Sequence, residues 1–251
     1  MSLETTIASL VSASNALTAA VSGKMGQIDS KVNEAKAAFD SQLAALTSKL
    51  PRLGITKNFA MADAGNLGRP DTFGYHSQVS WAKVKNIVSF SQATGRSAEE
   101  IALLAEIEAD VKEVYPDFDI RKSDYYRRDF NIWRATWAEL NSGSPYLAYP
   151  VTSDGILNSG VASVPLNSFI TVAGFVRVVE GEISGVWSTG SKKGKWRWCS
   201  TVLNPANAFG AYTHLHPMRL STSGVVEMAL VGACTGVVSH PSAWGAMLAL
   251  G

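Results

Sequence analysis

Apolar residues recur every three or four positions along the first fifty-odd residues, with almost no charge on that seam. Leu3, Ile7, Leu10, Leu17, Val21, Met25, Ile28, Val32, Ala35, Phe39, Leu43, Leu46, Leu50 and Leu53 fall on it, and Ser14 fills its one polar slot. The mean step is about 3.57 residues, close to the α-helical 3.6 and slightly above the 3.5 of a supercoiled heptad. A helix from Leu3 to Leu50 spans roughly 70 Å. The remaining ~200 residues, folded compactly, measure about 40 Å across. One domain of that size cannot cover such a rod, so the stripe is expected to meet copies of itself. Pro51 cannot continue the helix and closes the segment. Gly23 and Gly26 each weaken its middle by about 1 kcal/mol relative to Ala. The apolar register runs across both, which favours one bent or flexible helix over a break into two.

The pattern then changes twice. Residues 54–150 open on a turn-rich stretch from Asp63 to Gly74, followed by an alternating run from Val79 to Phe90 that predicts a strand. Ser97 and Glu100 form a capping box, and Ile101, Leu104, Ile107, Val111 and Val114 mark one helical face up to Pro116. A second helix is expected from Ser123, since Tyr126, Phe130, Trp133, Trp137 and Leu140 recur at helical spacing until Asn141-Ser142-Gly143. Arg121, Lys122, Arg127, Arg128 and Arg134 balance Asp117, Asp119, Asp124 and Asp129, the composition of a solvated face.

From about Pro150 onward, apolar stretches alternate with Gly/Ser/Asn turns. The predicted strands are Phe169–Val179, Glu182–Ser188, Lys195–Val202, Phe209–Leu220 and Gly224–Val231. That is the pattern of a β-sandwich or jelly roll. Only ten of the residues in 151–251 are charged, so part of this surface is expected to lie against neighbouring subunits. The apolar tail Ala243–Leu250, with Trp244, fits the same expectation.

A net charge of +1 gives no reason to expect nucleic acid or an anionic membrane as partner. Cys199 and Cys234 stand singly in strand-like segments, without zinc spacing or a disulfide framework, and read as buried thiols of a protein assembled in a reducing cytosol. No charged-then-apolar leader opens the chain, so secretion is not expected, and no apolar run is long enough to span a membrane.

Several stretches resemble bacteriophage tail-fibre proteins: Leu17-Thr18-Ala19-Ala20-Val21-Ser22-Gly23-Lys24, Ile28-Asp29-Ser30-Lys31-Val32, Thr56-Lys57-Asn58, and Asp129-Phe130-Asn131-Ile132-Trp133. The likeness covers the N-terminal shaft and less of the middle segment. It implies a structural virion protein of the tail, assembled in the host cytoplasm as a homotrimer. Ile7, Leu10, Leu17, Val21, Met25, Ile28, Val32, Phe39, Leu43 and Leu46 would then form the trimer interface. The periodicity alone indicates self-association and does not give the number three. The resulting expectation is an elongated α+β protein in three parts. Residues 1–53 form a trimeric coiled coil serving virion attachment, 54–150 a mixed α/β neck, and 151–251 a β-sandwich or jelly-roll-like head.

The sharpest chemistry in the head is Trp187 followed by Lys192-Lys193-Gly194-Lys195-Trp196-Arg197-Trp198. Ser188–Gly194 can turn a hairpin, with Trp196 and Trp198 on one face of the returning strand and Lys195 and Arg197 on the other. Indole faces stack on sugars, and lysines at a tip attract anionic polysaccharide or lipopolysaccharide. Trp187, Lys192, Lys193, Lys195, Trp196 and Trp198 are therefore the candidate receptor-binding residues. The alternative is that the tryptophans fill the core and the lysines solvate the turn. An architectural fibre or adaptor that docks another tail or baseplate protein is the competing function.

His214-Leu215-His216 places two imidazoles on one side of a strand, and around a threefold axis six nitrogens could surround one metal ion. Two ligands are a thin motif, and no metal or cofactor is assigned. Glycoside hydrolysis needs two carboxylates about 5 to 9.5 Å apart. The C-terminal segment offers only Asp154, Glu180, Glu182 and Glu227, and the chain has no nucleophile elbow, Walker loop or His-Glu-x-x-His. The expectation is a binding protein without catalysis.

Overall fold

The computed structural model describes residues 2–49, 52–89, 96–121, 128–152, 163–166, 168–205 and 212–246. The chain divides into two compact units, residues 1–51 and 52–251. The first is a single helix, α1 (Leu3–Lys49), which runs through Gly23 and Gly26 without a break. Leu50 and Pro51 lie outside the described residues. The large apolar members of the seam, from Leu3 to Leu46, are each 49–78 % exposed. No described helix is long and apolar enough to cross a membrane.

The second unit contains, in chain order, β1 (Phe73–Tyr75), β2 (Ser80–Ile87), α2 (Ala98–Lys112), β3 (Phe130–Trp137), β4 (Ala148–Pro150), β5 (Ser163–Pro165), β6 (Ile170–Glu180), β7 (Ile183–Ser184), β8 (Trp196–Leu203), β9 (Tyr212–His214), β10 (Met218–Arg219), β11 (Gly224–Thr235) and α3 (Pro241–Gly245). Its frame is a five-stranded sheet, ordered β2-β3-β11-β6-β8 and antiparallel at every pairing. Three two-stranded ribbons, β1-β4, β7-β10 and β5-β9, accompany it. The last long strand in sequence, β11, sits at the centre.

The sheet joins β2 and β3 from the expected neck to β6, β8 and β11 from the expected head. The boundary at 150/151 is therefore not a domain boundary. Nor do the described residues form a sandwich. One face of the sheet is covered by α2 and Trp244 of α3, and its core includes Leu104, Ile107, Val111, Phe118, Phe130, Phe175, Trp196, Trp198 and Leu230. The opposite face packs Trp133, Trp137, Val172, Val176, Trp187, Val226 and Met228 together with residues of the ribbons, such as Phe73, Ala148, Ile183 and Val164. Helix α2 occupies the place a second sheet would need.

Helix α2 begins as its sequence dictates. The Glu100 N–H donates to Ser97 Oγ at 3.2 Å, and Glu100 Oε2 accepts from the Ser97 N–H at 2.8 Å. By contrast, the expected helix over Phe130, Trp133 and Trp137 is strand β3, while Ser123 and Tyr126 lie outside the described residues. Phe130 and Ile132 face the helical side, and Trp133, Ala135 and Trp137 the ribbon side. A strand buried on both faces carries large apolar residues at nearly every position, so its four-three-four spacing imitates a helical stripe.

The central strand contains a bulge. Its register with β6 shifts between Ala229 and Gly232, and Leu230 takes a φ of 51°. Ala229 and Leu230 consequently both face the helical core. Trp244 Nε1 donates to the Leu230 carbonyl at 2.9 Å, so α3 satisfies a backbone group at the interrupted ladder.

Candidate functional site

The residues of the Trp/Lys motif divide between the two faces of the sheet. Trp187 lies in a 3-10 turn, Val186–Ser188, and is fully buried on the ribbon side. Trp196 and Trp198 share the helical side of β8, as expected from alternation, but are 0 % and 6 % exposed. Neither indole face is laid open for stacking, and the three tryptophans do not form one patch. Lys192 and Lys193 remain exposed at the turn. Lys195 does not join them: its Nζ meets Asp110 Oδ1 at 2.8 Å and Glu113 Oε1 at 3.0 Å.

Because β8 is an edge strand, both Lys195 and Arg197 reach the C-terminal end of α2. Arg197 donates to the carbonyls of Asp110 and Trp196 and to the Glu113 carboxylate. Hydrogen bonds from Lys195 and then Arg197 hold the Glu113 carboxyl down to about 2, well below its ordinary range. One turn earlier, Arg121 and Lys112 hold Glu108 at about 2 in the same way.

Between this ion-paired edge and α2 lies a cavity of about 260 Å³. Val111, Val114, Tyr115 and Trp198 supply its apolar side, while Thr189, Gly190, Arg197 and Ser200 supply its polar side. The Tyr115 ring meets Trp198 edge-on at 5.6 Å and His240 at 5.4 Å. His240 Nε2 lies 3.0 Å from Asp117 Oδ1, and this bond lowers the Asp117 pKa. Thr189 Oγ1 is 2.8 Å from Thr201 Oγ1. Trp198 Nε1 is buried without a hydrogen-bond partner among the described residues. The sequence offers Trp198 as a candidate contact, names Arg197 only as part of the motif and places Val114 on the apolar helical face that runs up to Pro116. Tyr115, Thr189 and Ser200 come from separate elements and carry no spacing signal.

The histidine pair enters a second aromatic cluster on the ribbon side. The rings of His214 and His216 are 5.0 Å apart, His216 is 5.3 Å from Tyr146, and Tyr146 is 5.1 Å from His76. Tyr149 lies 6.2 Å from His216 and packs over Gly74, where a Cβ would stand 2.1 Å from its ring. Among the described residues no group of three or more His, Cys, Asp or Glu could hold a metal ion. Burial, helped by Arg219, lowers the His76 pKa below 6.5, and burial with the neighbouring His214 lowers that of His216. Burial pushes the Cys199 thiol up to about 12 and Cys234 up to about 11, so both stay protonated at neutral pH.

The two lowered histidines give the unit an acid limit. Above pH ~6.5 both imidazoles are neutral in the folded and unfolded chain. As pH falls through 6.5 the unfolded chain takes up the protons first, and folding stability declines towards the lower folded values. The urea midpoint is therefore expected to be lower at pH 5.5 than at pH 7.5. A His76→Gln/His216→Gln variant should show a smaller difference between the two.

No family model, curated protein or solved structure matches the chain.

Proposed function

We propose that this chain is a structural virion protein, a bacteriophage tail fibre. Three copies associate through a coiled coil of α1, and the residue 52–251 unit contacts host surface glycan. The observation that carries this reading is the seam: a 47-residue helix whose large apolar side chains are half or more exposed. Fully burying one such side chain contributes about 1.5–3 kcal/mol, and knobs-into-holes packing against copies of the same helix buries all of them.

The resemblance to tail fibres supplies the number three and the location in a virion. One of the stretches that carry it, residues 129–133, packs beside the segment that follows another. Asn131 donates from its backbone N–H to the Ala60 carbonyl at 3.0 Å and from Nδ2 to the Met61 carbonyl at 3.0 Å, just beyond Thr56-Lys57-Asn58.

Light scattering of the intact protein tests the reading. A mass near three times the 26.8 kDa chain, about 80 kDa, supports it, and a single-chain mass overturns it. The architectural alternative makes a different prediction for the same trimer: it binds tail or baseplate proteins and leaves host cells untouched.

A further inference from the structure

We propose that the cavity beside Trp198 is a subsite for one neutral pyranose ring. This rests on the reading of the chain as an adhesive fibre and moves the point of contact from the hairpin tip to the edge of the sheet.

Three observations select the occupant. The first is size. At about 260 Å³ the cavity falls below the usual range of drug-sized sites and admits a single six-membered ring with its substituents.

The second is the chemistry of its walls. Val111, Val114, Tyr115 and Trp198 line it with apolar and aromatic side chains, the kind that take the C–H face of a sugar. Thr189 and Ser200 also line it and bring hydroxyl-bearing side chains, that of Thr189 hydrogen-bonded to Thr201 at 2.8 Å. Gly190, with a φ of 87° and open space where a Cβ would stand, exposes its backbone to a close approach.

The third is charge. The cation among the lining residues, Arg197, is already paired with Glu113, and Lys195, two positions before it in the chain, is paired with Asp110 and Glu113. An acidic sugar would find no uncompensated cation there, whereas a neutral one needs none. Three weak copies of such a subsite on one trimer suffice for firm adsorption, because the second and third contacts form at high effective concentration.

Saturation-transfer NMR on the full-length protein tests this. The probes are methyl α-D-glucopyranoside, methyl β-D-galactopyranoside and methyl α-D-mannopyranoside, with a methyl glucuronate as the charged comparison. At least one neutral glycoside is expected to bind with a Kd of about 0.1–10 mM.

Val114 is 55 % exposed, so Val114→Trp closes the cavity mouth without entering the core. It is expected to weaken that binding at least ~10-fold while the unfolding midpoint is unchanged, and Val114→Ile is expected to retain binding. The proposal is overturned if no neutral glycoside binds, if the glucuronate binds more tightly, or if folded Val114→Trp binds as the parent does. A three-chain mass combined with any of those results removes the subsite and leaves the fibre reading in place, whereas a single-chain mass removes the fibre reading itself.

Discussion

Replacing Glu227 by alanine is expected to destabilise the residue 52–251 unit by about 3 kcal/mol, the low end of the usual cost of breaking a buried ion pair, since Arg177 alone of its two partners stays largely buried. Glu227 is 0 % exposed at the centre of the sheet. It stands opposite Arg134 of β3 on one side and Arg177 of β6 on the other, and Arg177 in turn stands opposite Trp196 of β8. One row therefore crosses four strands. Oε1 accepts from Arg134 Nε at 3.1 Å and Nη2 at 2.6 Å, and Oε2 accepts from Arg177 Nε at 2.8 Å. Arg177 also pairs with Glu106 of α2, and its guanidinium lies 5.0 Å from the Trp196 ring centroid.

Without the carboxylate, two guanidiniums on either side of β11 lose their shared partner. Arg134 is half exposed and can turn to water, but Arg177 is held beneath α2. For a unit of this size a loss of that magnitude lowers Tm by about 10 °C. Thermal unfolding followed by tryptophan fluorescence measures it. The charge-free triple variant Arg134→Leu/Glu227→Met/Arg177→Met is expected to recover most of the loss, because no buried charge is left unanswered. If Glu227→Ala unfolds within ~1 kcal/mol of the parent, the row does not hold the sheet together.

That row also marks where sequence reasoning stops. Arg134 reads as one member of a solvated basic run, and Glu227 as one of four carboxylates with no partner in view. Their pairing depends on β11 entering the sheet between β3 and β6, a non-local event that leaves no local trace. What was legible is whatever local physics decides. The seam of α1 repeats over a dozen steps, the Ser97/Glu100 box starts α2, and alternation places β2, β6, β8 and β11 to within a few residues. Strand β3 was misread as a helix because both of its faces are buried and period two disappears.

The candidate site was half legible for the same reason. Alternation put Trp196 and Trp198 on one face, yet nothing in the spacing says that α2 covers that face. Burial of the indoles is a tertiary fact, as is the capture of Lys195 and Arg197 by Asp110 and Glu113. Tyr115 meets Trp198 only because β8 is the edge strand beside the end of α2.

The N-terminal helix yields the other large effect. Ile28→Lys is expected to convert the proposed trimer into single chains, since Ile28 lies mid-seam and is 60 % exposed on an isolated helix. Losing its burial removes about 2 kcal/mol per chain, roughly 6 per trimer, or some four decades of association constant. Three ammonium groups brought to one axis then add desolvation and mutual repulsion.

Ser30→Lys is the matched comparison. At 100° per residue it lies nearly opposite the seam formed by Val21, Met25, Ile28 and Val32, so the same charge there is expected to leave the mass unchanged. The seam residues carry no ion pairs, so the parent's mass should also hold from low to high salt, unlike an assembly held by surface charges. Sedimentation at micromolar concentration reads all three outcomes. If Ile28→Lys keeps the parent's mass, the apolar stripe is not what joins the chains. A parent that is itself a single chain leaves α1 as an exposed apolar rod with nothing to cover it, and the trimeric fibre is then the wrong molecule.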